Sequence, residues 1–126
     1  MINLPWPPRS LSPNSRKDRR SATGDRQAYK LVCADAAKKG GYADLKFMHM
    51  HLRITFYPPD NRRRDLDNML GSIKYGLDAI ATVTGVDDYF WELTIRRGPA
   101  TKGGLVSVEI GPPSDKGFVP YRGRAV

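Results

Sequence analysis

The chain has 126 residues, a length that suits a single domain with one modest core. Lys and Arg total 21 against 13 Asp and Glu, and the resulting formal charge of +8 predicts a polyanionic partner, nucleic acid before an anionic membrane. The single cysteine excludes an intramolecular disulfide and a cysteine-based zinc site, and without a long apolar run or a signal-peptide pattern we expect a cytoplasmic protein that binds no membrane.

The first forty residues predict a strand, a basic loop and a helix. Residues 1–5 predict a short strand that is ended by prolines, and residues 9–23 predict a polar loop rich in arginine. A helix is predicted from about residue 24 to residue 39, because apolar residues recur at helical spacing until a glycine pair ends the pattern. The residues predicted to form its buried face are Ala28, Leu31, Val32 and Ala36.

A strand and a second helix are predicted next. Residues 46–57 alternate apolar and polar side chains, with the apolar ones on the buried face. The predicted apolar set is Met48, Met50, Leu52, Ile54 and Phe56. A helix is predicted over about 65–84, with Gly85 as its C-terminal cap. Gly71 and Gly76 inside this helix lower its propensity, and close approach of another helix across a dimer is one explanation.

Two further strands are predicted at residues 89–97 and 105–110, joined as a hairpin by a turn around Lys102. The alternating residues predicted to enter the core from the first of these strands are Tyr89, Trp91, Leu93 and Ile95. Residues 1–110 then form one domain, followed by a flexible basic tail at 111–126. The pattern thus predicts four strands and two main helices.

Two pairs of acidic residues carry the chemistry. Asp65 and Asp67 stand where the predicted strand and helix meet, directly after three arginines, and Asp87-Asp88 follow that helix. Because carboxylates repel one another, a fold that brings three of them together usually supplies a cation. Mg²⁺ prefers oxygen ligands and activates water for phosphodiester hydrolysis. If the strand after Asp88 pairs beside the strand at 46–57, its start approaches Asp65.

Lys74 is a candidate to act beside these carboxylates. It lies seven residues after Asp67, which places both side chains on one face of a continuous helix, about 10 Å apart along the axis. Its ammonium would stabilise charge on a phosphate held at the carboxylates. Each residue alone has a simpler explanation: a helix N-cap for Asp65 or Asp67, a turn for Asp87-Asp88, and a solvated side chain for Lys74.

Together these motifs resemble the RusA family of Holliday junction resolvases of bacteria and their prophages. The resemblance spans most of residues 3–110, and its specific part is the arginine-rich D-L-D-N stretch with the lysine, D-A and D-D motifs after it. The matching motifs are Leu4-Pro5-Trp6-Pro7-Pro8, Asn14, Arg62-Arg63-Arg64-Asp65-Leu66-Asp67-Asn68, Lys74 with Leu77-Asp78-Ala79, Gly85-Val86-Asp87-Asp88 and Thr101-Lys102-Gly103-Gly104. The family lysine commonly lies where this chain has Gly71, so Lys74 matches it only if three residues are inserted.

The resemblance implies a RusA-like α+β fold with a small mixed sheet of about four strands and two main helices. It also implies a homodimer and Mg²⁺-dependent paired nicks across a four-way junction in DNA recombination and repair. It implies that Mn²⁺ can replace Mg²⁺, that no small-molecule cofactor is needed, and that the protein is bacterial or phage-encoded. By the family pattern, Asp65, Asp67 and Asp88 are the catalytic acids and metal ligands, Asp87 is the second choice, and Lys74 is the catalytic lysine. The residues expected to contact DNA are Arg9, Asn14, Arg16, Lys17, Arg19, Arg20, Arg62, Arg63, Arg64 and Lys102.

Two other functions fit the same sequence. A non-catalytic DNA-binding protein would explain the basic charge equally well, although it would gain nothing from carboxylates that face phosphate. A nuclease that acts on branched DNA in general, including forks and flaps, would share all of the motifs.

Overall fold

A computed structural model describes residues 1–14, 19–113 and 117–124 of the chain. It contains a four-stranded mixed sheet and three helices, which confirms the predicted α+β fold. The strands are β1 (Ile2–Pro5), β2 (Met50–Tyr57), β3 (Trp91–Arg97) and β4 (Leu105–Gly111), and the helices are α1 (Arg19–Lys39), α2 (Leu66–Ser72) and α3 (Lys74–Thr84). None of the helices in the described part of the chain is long and apolar enough to cross a membrane.

The sheet has the strand order β1-β4-β2-β3. β4 runs antiparallel to both β1 and β2, whereas β3 runs parallel to β2. The predicted hairpin between β3 and β4 is therefore wrong, because β2 lies between them. A parallel pair requires a crossover connection, which α2 and α3 provide here. Local alternation predicted both strands, but it contains no information about which strand each one pairs with.

The helices pack on one face of the sheet, and α1 packs on α3. α1 begins at Arg19, within the segment predicted as a loop. Its buried residues are Ala22, Tyr29, Cys33 and Ala37. The predicted face is wrong for Ala28, Leu31 and Val32, which are exposed (Leu31 by 70%), whereas Ala36 packs partly against the core. The pattern misled because the aliphatic residues of this helix lie on its solvent side. Tyr29 instead anchors the helix by donating a hydrogen bond of 2.8 Å to the carbonyl of Pro5.

The alternation at β2 correctly predicted the central strand, from which Met50, Leu52, Ile54 and Phe56 enter the core. Met48 lies before the strand and is exposed. The prediction for β3 holds in part: Trp91 and Ile95 pack partly against the core. Leu93 is exposed, and Tyr89, which precedes the strand, is 83% exposed. β3 is an edge strand, and this position leaves its side chains less covered than those of β2.

The single helix predicted over 65–84 is divided into α2 and α3 at Ile73, whose φ of −100° and ψ of 11° are not helical. Gly85 ends α3 with a φ of 76°, which confirms the predicted cap. The two interior glycines allow close approach within this chain, so no dimer contact is needed to explain them. A Cβ at Gly71 would lie 2.6 Å from Pro13 Cγ, and a Cβ at Gly76 would lie 3.0 Å from the side chains of Tyr29 and Cys33.

The described part of the C-terminal segment, residues 117–124, lies against the rest of the fold. Tyr121 donates a backbone hydrogen bond to Ile110, and Arg124 donates one of 2.8 Å to the carbonyl of Gly41. β4 itself continues to Gly111. A boundary after residue 110 would cut β4 one residue before its end and separate the bridged residues Ile110 and Tyr121.

The close contact at Gly76 predicts a specific sensitivity of the α1–α3 interface. Gly76→Leu should lower the free energy of unfolding by about 1–3 kcal/mol, because the side chain would have to displace Tyr29 and Cys33. Urea denaturation measures this change. Gly24→Leu is the matched control, since a Cβ at Gly24 in α1 meets nothing within 4 Å. An equal effect of the two substitutions would contradict the packing argument.

Candidate active site

A cleft of about 540 Å³ opens between α2 and residues 6–14, which are called the N-terminal loop below. Four arginines and one carboxylate lie around it, together with apolar side chains and amides. Its lining residues are Trp6, Pro7, Pro8, Arg9, Ser12, Asn14, Phe56, Arg62, Arg63, Arg64, Asp65, Asn68, Met69 and Ser72. Five of the residues predicted to contact DNA, namely Arg9, Asn14, Arg62, Arg63 and Arg64, are thus brought to one place, although they come from two distant segments of the sequence.

The sequence positions Asp65 at the mouth of this cleft. Pro58 and Pro59 follow β2 and prevent the strand from continuing, the chain bends at residues 59–61, and α2 begins at Leu66 after Asp65, whose backbone is extended. Asp65 is the N-cap residue of α2, yet its side chain makes no capping hydrogen bond. Its side chain is 60% exposed, and its nearest cation, Arg63 Nε, lies 4.0 Å away. The simpler explanation of Asp65 as a capping residue is therefore wrong, and the carboxylate is free to bind a ligand.

Asp67 lies in the first turn of α2 and is also exposed. Its Oδ1 accepts a hydrogen bond of 2.9 Å from the backbone N–H of Asn68. Asp65 and Asp67 are hard oxygen donors of the kind that Mg²⁺ prefers. They are two of the three carboxylates that the sequence predicts as metal ligands. Within the described residues, no group of three or more His, Cys, Asp or Glu side chains could hold a metal ion.

Arg63 and Arg64 of the cleft differ in how firmly their side chains are held. The side chain of Arg64 is 22% exposed, and its guanidinium donates a hydrogen bond of 2.8 Å to Asp60. The same guanidinium lies over the Trp6 ring, 5.7 Å from its centre. The side chain of Arg63, by contrast, is 95% exposed. The cleft thus has one preorganised cation and more extended ones at its rim.

Asp60 was not predicted as part of the site, yet it orients Arg64. The hydrogen bond from Arg64, followed by the backbone hydrogen bond from Arg62, lowers the pKa of Asp60 below its usual value. The sequence carries no signal for this pairing, because it depends on how the loop after β2 folds. Arg97 is a second missed partner: its guanidinium donates to the carbonyl of Arg64, which ties the end of β3 to the cleft.

Asp88 lies at the other end of the sheet. In the parallel register, Trp91 at the start of β3 faces Met50, and Arg97 at its end faces Phe56. The seven residues of β3 therefore separate Asp88 from the Arg64 end of the strand by about 20 Å. The strand after Asp88 does pair beside β2, as expected, but its start lies at the end remote from Asp65. One chain by itself does not bring Asp88 to Asp65 and Asp67.

The neighbouring Asp87 has a structural task. Its Oδ1 accepts a hydrogen bond of 2.9 Å from the backbone N–H of Tyr89 and caps a short 3-10 turn at Asp88–Phe90. The turn interpretation therefore applies to Asp87. Asp88 is the first residue of that turn, and its side chain is exposed.

The remaining predicted residues lie around or outside this cleft. Lys74 is exposed at the start of α3, beyond the break at Ile73, so the argument that it shares a continuous helix face with Asp67 is wrong. Lys102 is exposed in the turn before β4, and Gly104 of that turn packs on Trp6. Arg16 and Lys17 lie outside the described residues. Arg19 and Arg20 begin α1, and only their backbone is described.

Comparison with known proteins places the chain in a family. No family model matches the sequence. The chain is 36% identical to the crossover junction endodeoxyribonuclease rusA of Enterobacteria phage 82 over 120 residues, which cover 86% of this chain and 91% of that protein. It is 34% identical to crossover junction endodeoxyribonuclease RusA of Escherichia coli strain K12 over 119 residues, with the same coverage. An uncharacterized protein of Xylella fastidiosa is 38% identical over 90 residues, and this chain spans 59% of its length. The chain belongs to the RusA family of crossover junction endodeoxyribonucleases.

The pairing of Asp60 with Arg64 predicts a pH-dependent contribution to stability. Because the pKa of Asp60 in the folded state lies below its usual 3.8, its ionised form stabilises the fold above that pH. This contribution is lost as the pH falls through the folded-state pKa. Asp60→Asn should therefore lower the free energy of unfolding at neutral pH, and the difference from the unsubstituted protein should disappear in acid. Urea midpoints measured across this pH range test the expectation.

An Arg64→Gln background supplies the control. The hydrogen bond from Arg64 is the largest cause of the lowered pKa, so Asp60→Asn should cost much less in that background. A difference that is independent of pH, or unchanged by the loss of Arg64, would contradict the proposed linkage.

Proposed function

We propose that this protein is a Mg²⁺-dependent endodeoxyribonuclease that resolves four-way DNA junctions by symmetric paired nicks, acting as a homodimer. The proposal depends on the carboxylate of Asp65, which is exposed, makes no capping hydrogen bond and lines a cleft with four arginines. The chain that contains this site belongs to the RusA family. The names of its relatives state an activity on crossover junctions.

The arginines suit the phosphate backbone of DNA. A phosphate accepts paired hydrogen bonds from a guanidinium, and such charged hydrogen bonds are stronger than neutral ones. Arg64 is held by Asp60 and Trp6 and needs little further ordering to bind. The side chains of Arg62 and Arg63 are 76% and 95% exposed, and their ion pairs are long, at 3.7 Å to Asp60 and 4.0 Å to Asp65, so neighbouring phosphates could replace these contacts. These contacts fix the position of DNA on the protein and carry no sequence information themselves.

The acidic residues favour catalysis over simple binding. Exposed carboxylates beside DNA phosphates weaken binding through repulsion, so a protein that only bound DNA would gain nothing from Asp65 and Asp67. A bound Mg²⁺ would offset that repulsion, polarise the phosphoryl oxygen and lower the pKa of a water ligand. Mn²⁺ offers the same coordination chemistry and is expected to replace it. Lys74 remains a proposed source of positive charge for the phosphate.

We further propose that the third carboxylate, Asp88, is supplied by the second copy of the chain. In the part of the chain that the structure describes, the outer edge of β3 has no partner strand, and Asp88 lies near the start of β3. Arg97 at its end contacts Arg64, next to Asp65. If two copies associate antiparallel along this edge, the start of each β3 lies beside the end of the other. Asp88 of one copy then approaches Asp65 and Asp67 of the other, and two identical sites form about the two-fold axis.

The local structure supports Asp88 rather than Asp87 as the ligand. Asp87 already uses Oδ1 to cap the turn that begins at Asp88, so its removal would disturb the backbone at this point. The exposed side chain of Leu93 on the same edge strand would also be covered by such an association.

A synthetic four-way junction tests the activity. The purified protein should nick it with Mg²⁺ and remain inactive with EDTA. Asp67→Asn should abolish cleavage yet keep or tighten junction binding, because a negative charge near the phosphate is lost. Gel-shift binding without metal and denaturing-gel cleavage with metal give the two measurements. Asp35→Asn, an exposed substitution on α1, is the control that should leave both unchanged.

Cleavage by Asp67→Asn at the normal rate would reject the assignment of the carboxylate. Equal cleavage of forks and flaps would replace the four-way junction with branched DNA in general. Junction binding without any metal-dependent cleavage would favour the non-catalytic DNA-binding protein.

Mixing two inactive variants tests the shared site. Asp67→Asn and Asp88→Asn should each be inactive alone. In a mixed dimer, one of the two sites combines Asp65 and Asp67 of the Asp88→Asn chain with Asp88 of the Asp67→Asn chain, so it has all three carboxylates. When the two variants are mixed in equal amounts, random assortment makes half of the dimers mixed, and each mixed dimer has one intact site out of two. Nicking should therefore return to about a quarter of the normal level. A site contained within one chain would regain no activity on mixing.

A further inference from the structure

The lining of the cleft includes apolar and aromatic side chains that phosphate binding does not require. Phosphate oxygens require only the basic rim, yet the cleft is also lined by Trp6, Phe56 and Met69, of which the last two are almost fully buried. Trp6 packs its ring edge-to-face against Phe56, with 6.4 Å between the ring centres. Of these three side chains, Trp6 keeps exposed surface, and small-molecule sites are typically lined by apolar and aromatic side chains with a few polar groups among them.

The wall of the cleft presents unused amide groups. Asn68 is half-buried, directly follows Asp67, and lines the cleft opposite Asn14. The backbone of Asn68 is fully engaged, because its N–H donates to Asp67 and its carbonyl accepts a hydrogen bond of 2.8 Å from Ser72. Among the residues that the structure describes, its side-chain amide has no hydrogen-bond partner, so one acceptor and two donors are available to a ligand.

Two residues beside the cleft, Pro13 and Trp6, are closely packed against glycines. Pro13, in the N-terminal loop, contacts α2 at Gly71, where a Cβ would lie 2.6 Å from Pro13 Cγ. On the other side, Trp6 packs against Gly104, where a Cβ would lie 2.7 Å from Trp6 Cβ. The floor and the amide wall are therefore positioned before a ligand arrives, which lowers the entropic cost of binding.

We propose that this cleft receives one unstacked nucleobase next to the phosphate at Asp65 and Asp67, and that Asn68 reads the hydrogen-bonding edge of that base. The inference rests on the proposed function. The volume of about 540 Å³ falls within the range of small-molecule sites. Extrusion of a base costs least where pairing is already broken, as at a branch point. The arginine rim would hold the phosphate that flanks the extruded base.

The carboxamide of Asn68 suits this task. The edge of each base presents donors and acceptors side by side, and an amide offers one of each in matching geometry. A base whose donor and acceptor are exchanged requires the amide to turn over, and the surrounding cleft then decides which orientation is preferred. Asn68 would thus determine base preference at the cleavage position without contributing to the phosphate contacts.

A set of four-way junctions that differ only in the base beside the cleaved phosphate tests the proposal. The protein should cut one junction at least about tenfold faster than another, and Asn68→Ala should reduce this ratio to about twofold or less. Junction affinity measured without metal should lose its dependence on that base, while its dependence on salt stays unchanged, since Asn68 contacts the base and not the phosphates. Asn3→Ala, an exposed asparagine on β1, is the matched control and should keep the full preference.

Fluorescence reports extrusion separately. A junction with 2-aminopurine at the position beside the cleaved phosphate should become brighter when the protein binds without metal. Cleavage without base preference, a preference that Asn68→Ala retains, or no fluorescence change would each overturn the base-reading inference while leaving the nuclease proposal intact. Failure of the unsubstituted protein to cut any junction with Mg²⁺ would instead overturn the proposed function.

Discussion

The parallel pairing of β3 with β2 determines where the acidic residues of this chain lie. A parallel neighbour cannot follow through a tight turn, so the chain must return from the end of β2 to its start before β3 begins. α2 and α3 make that return. Asp65 and Asp67 are left where the crossover begins, and Asp88 is left where it ends. A site that uses all three carboxylates must therefore draw them from two chains, which links catalysis to dimer formation in the proposed mechanism.

The cleft and its surroundings contain both positive and negative side chains, and these differ in how firmly they are held. Asp60 neutralises part of the charge of Arg64 and fixes its guanidinium, while Trp6 supports it from the other side. Arg62 lies 3.7 Å from the same Asp60 and Arg63 lies 4.0 Å from Asp65, and both arginine side chains remain largely exposed. DNA would thus meet one cation that is already ordered, which reduces the entropy lost on binding, and several that adapt to the path of the strand.

Predictions from local pattern succeeded where the cause is local. The proline-terminated β1, the alternation of β2 and the glycine cap at Gly85 follow from the chemistry of neighbouring residues. Predictions failed where packing decides. Leu31 lies on the solvent side of α1, and the predicted long helix is broken at Ile73. Hydrophobic spacing alone determines neither feature. The pairing of β3 with β2 instead of β4 belongs to the same class of error.

The sequence by itself determined the basic character of this protein, its RusA motifs and the identity of its candidate carboxylates, because these depend only on residue types and short spacings. The tertiary structure alone decided that Arg9, Asn14 and Arg62–Arg64 share one cleft and that Asp88 lies far from it. The physical reason is that distance along the chain does not fix distance in space: strand pairing and crossover direction arise from hydrogen bonds and packing between remote segments.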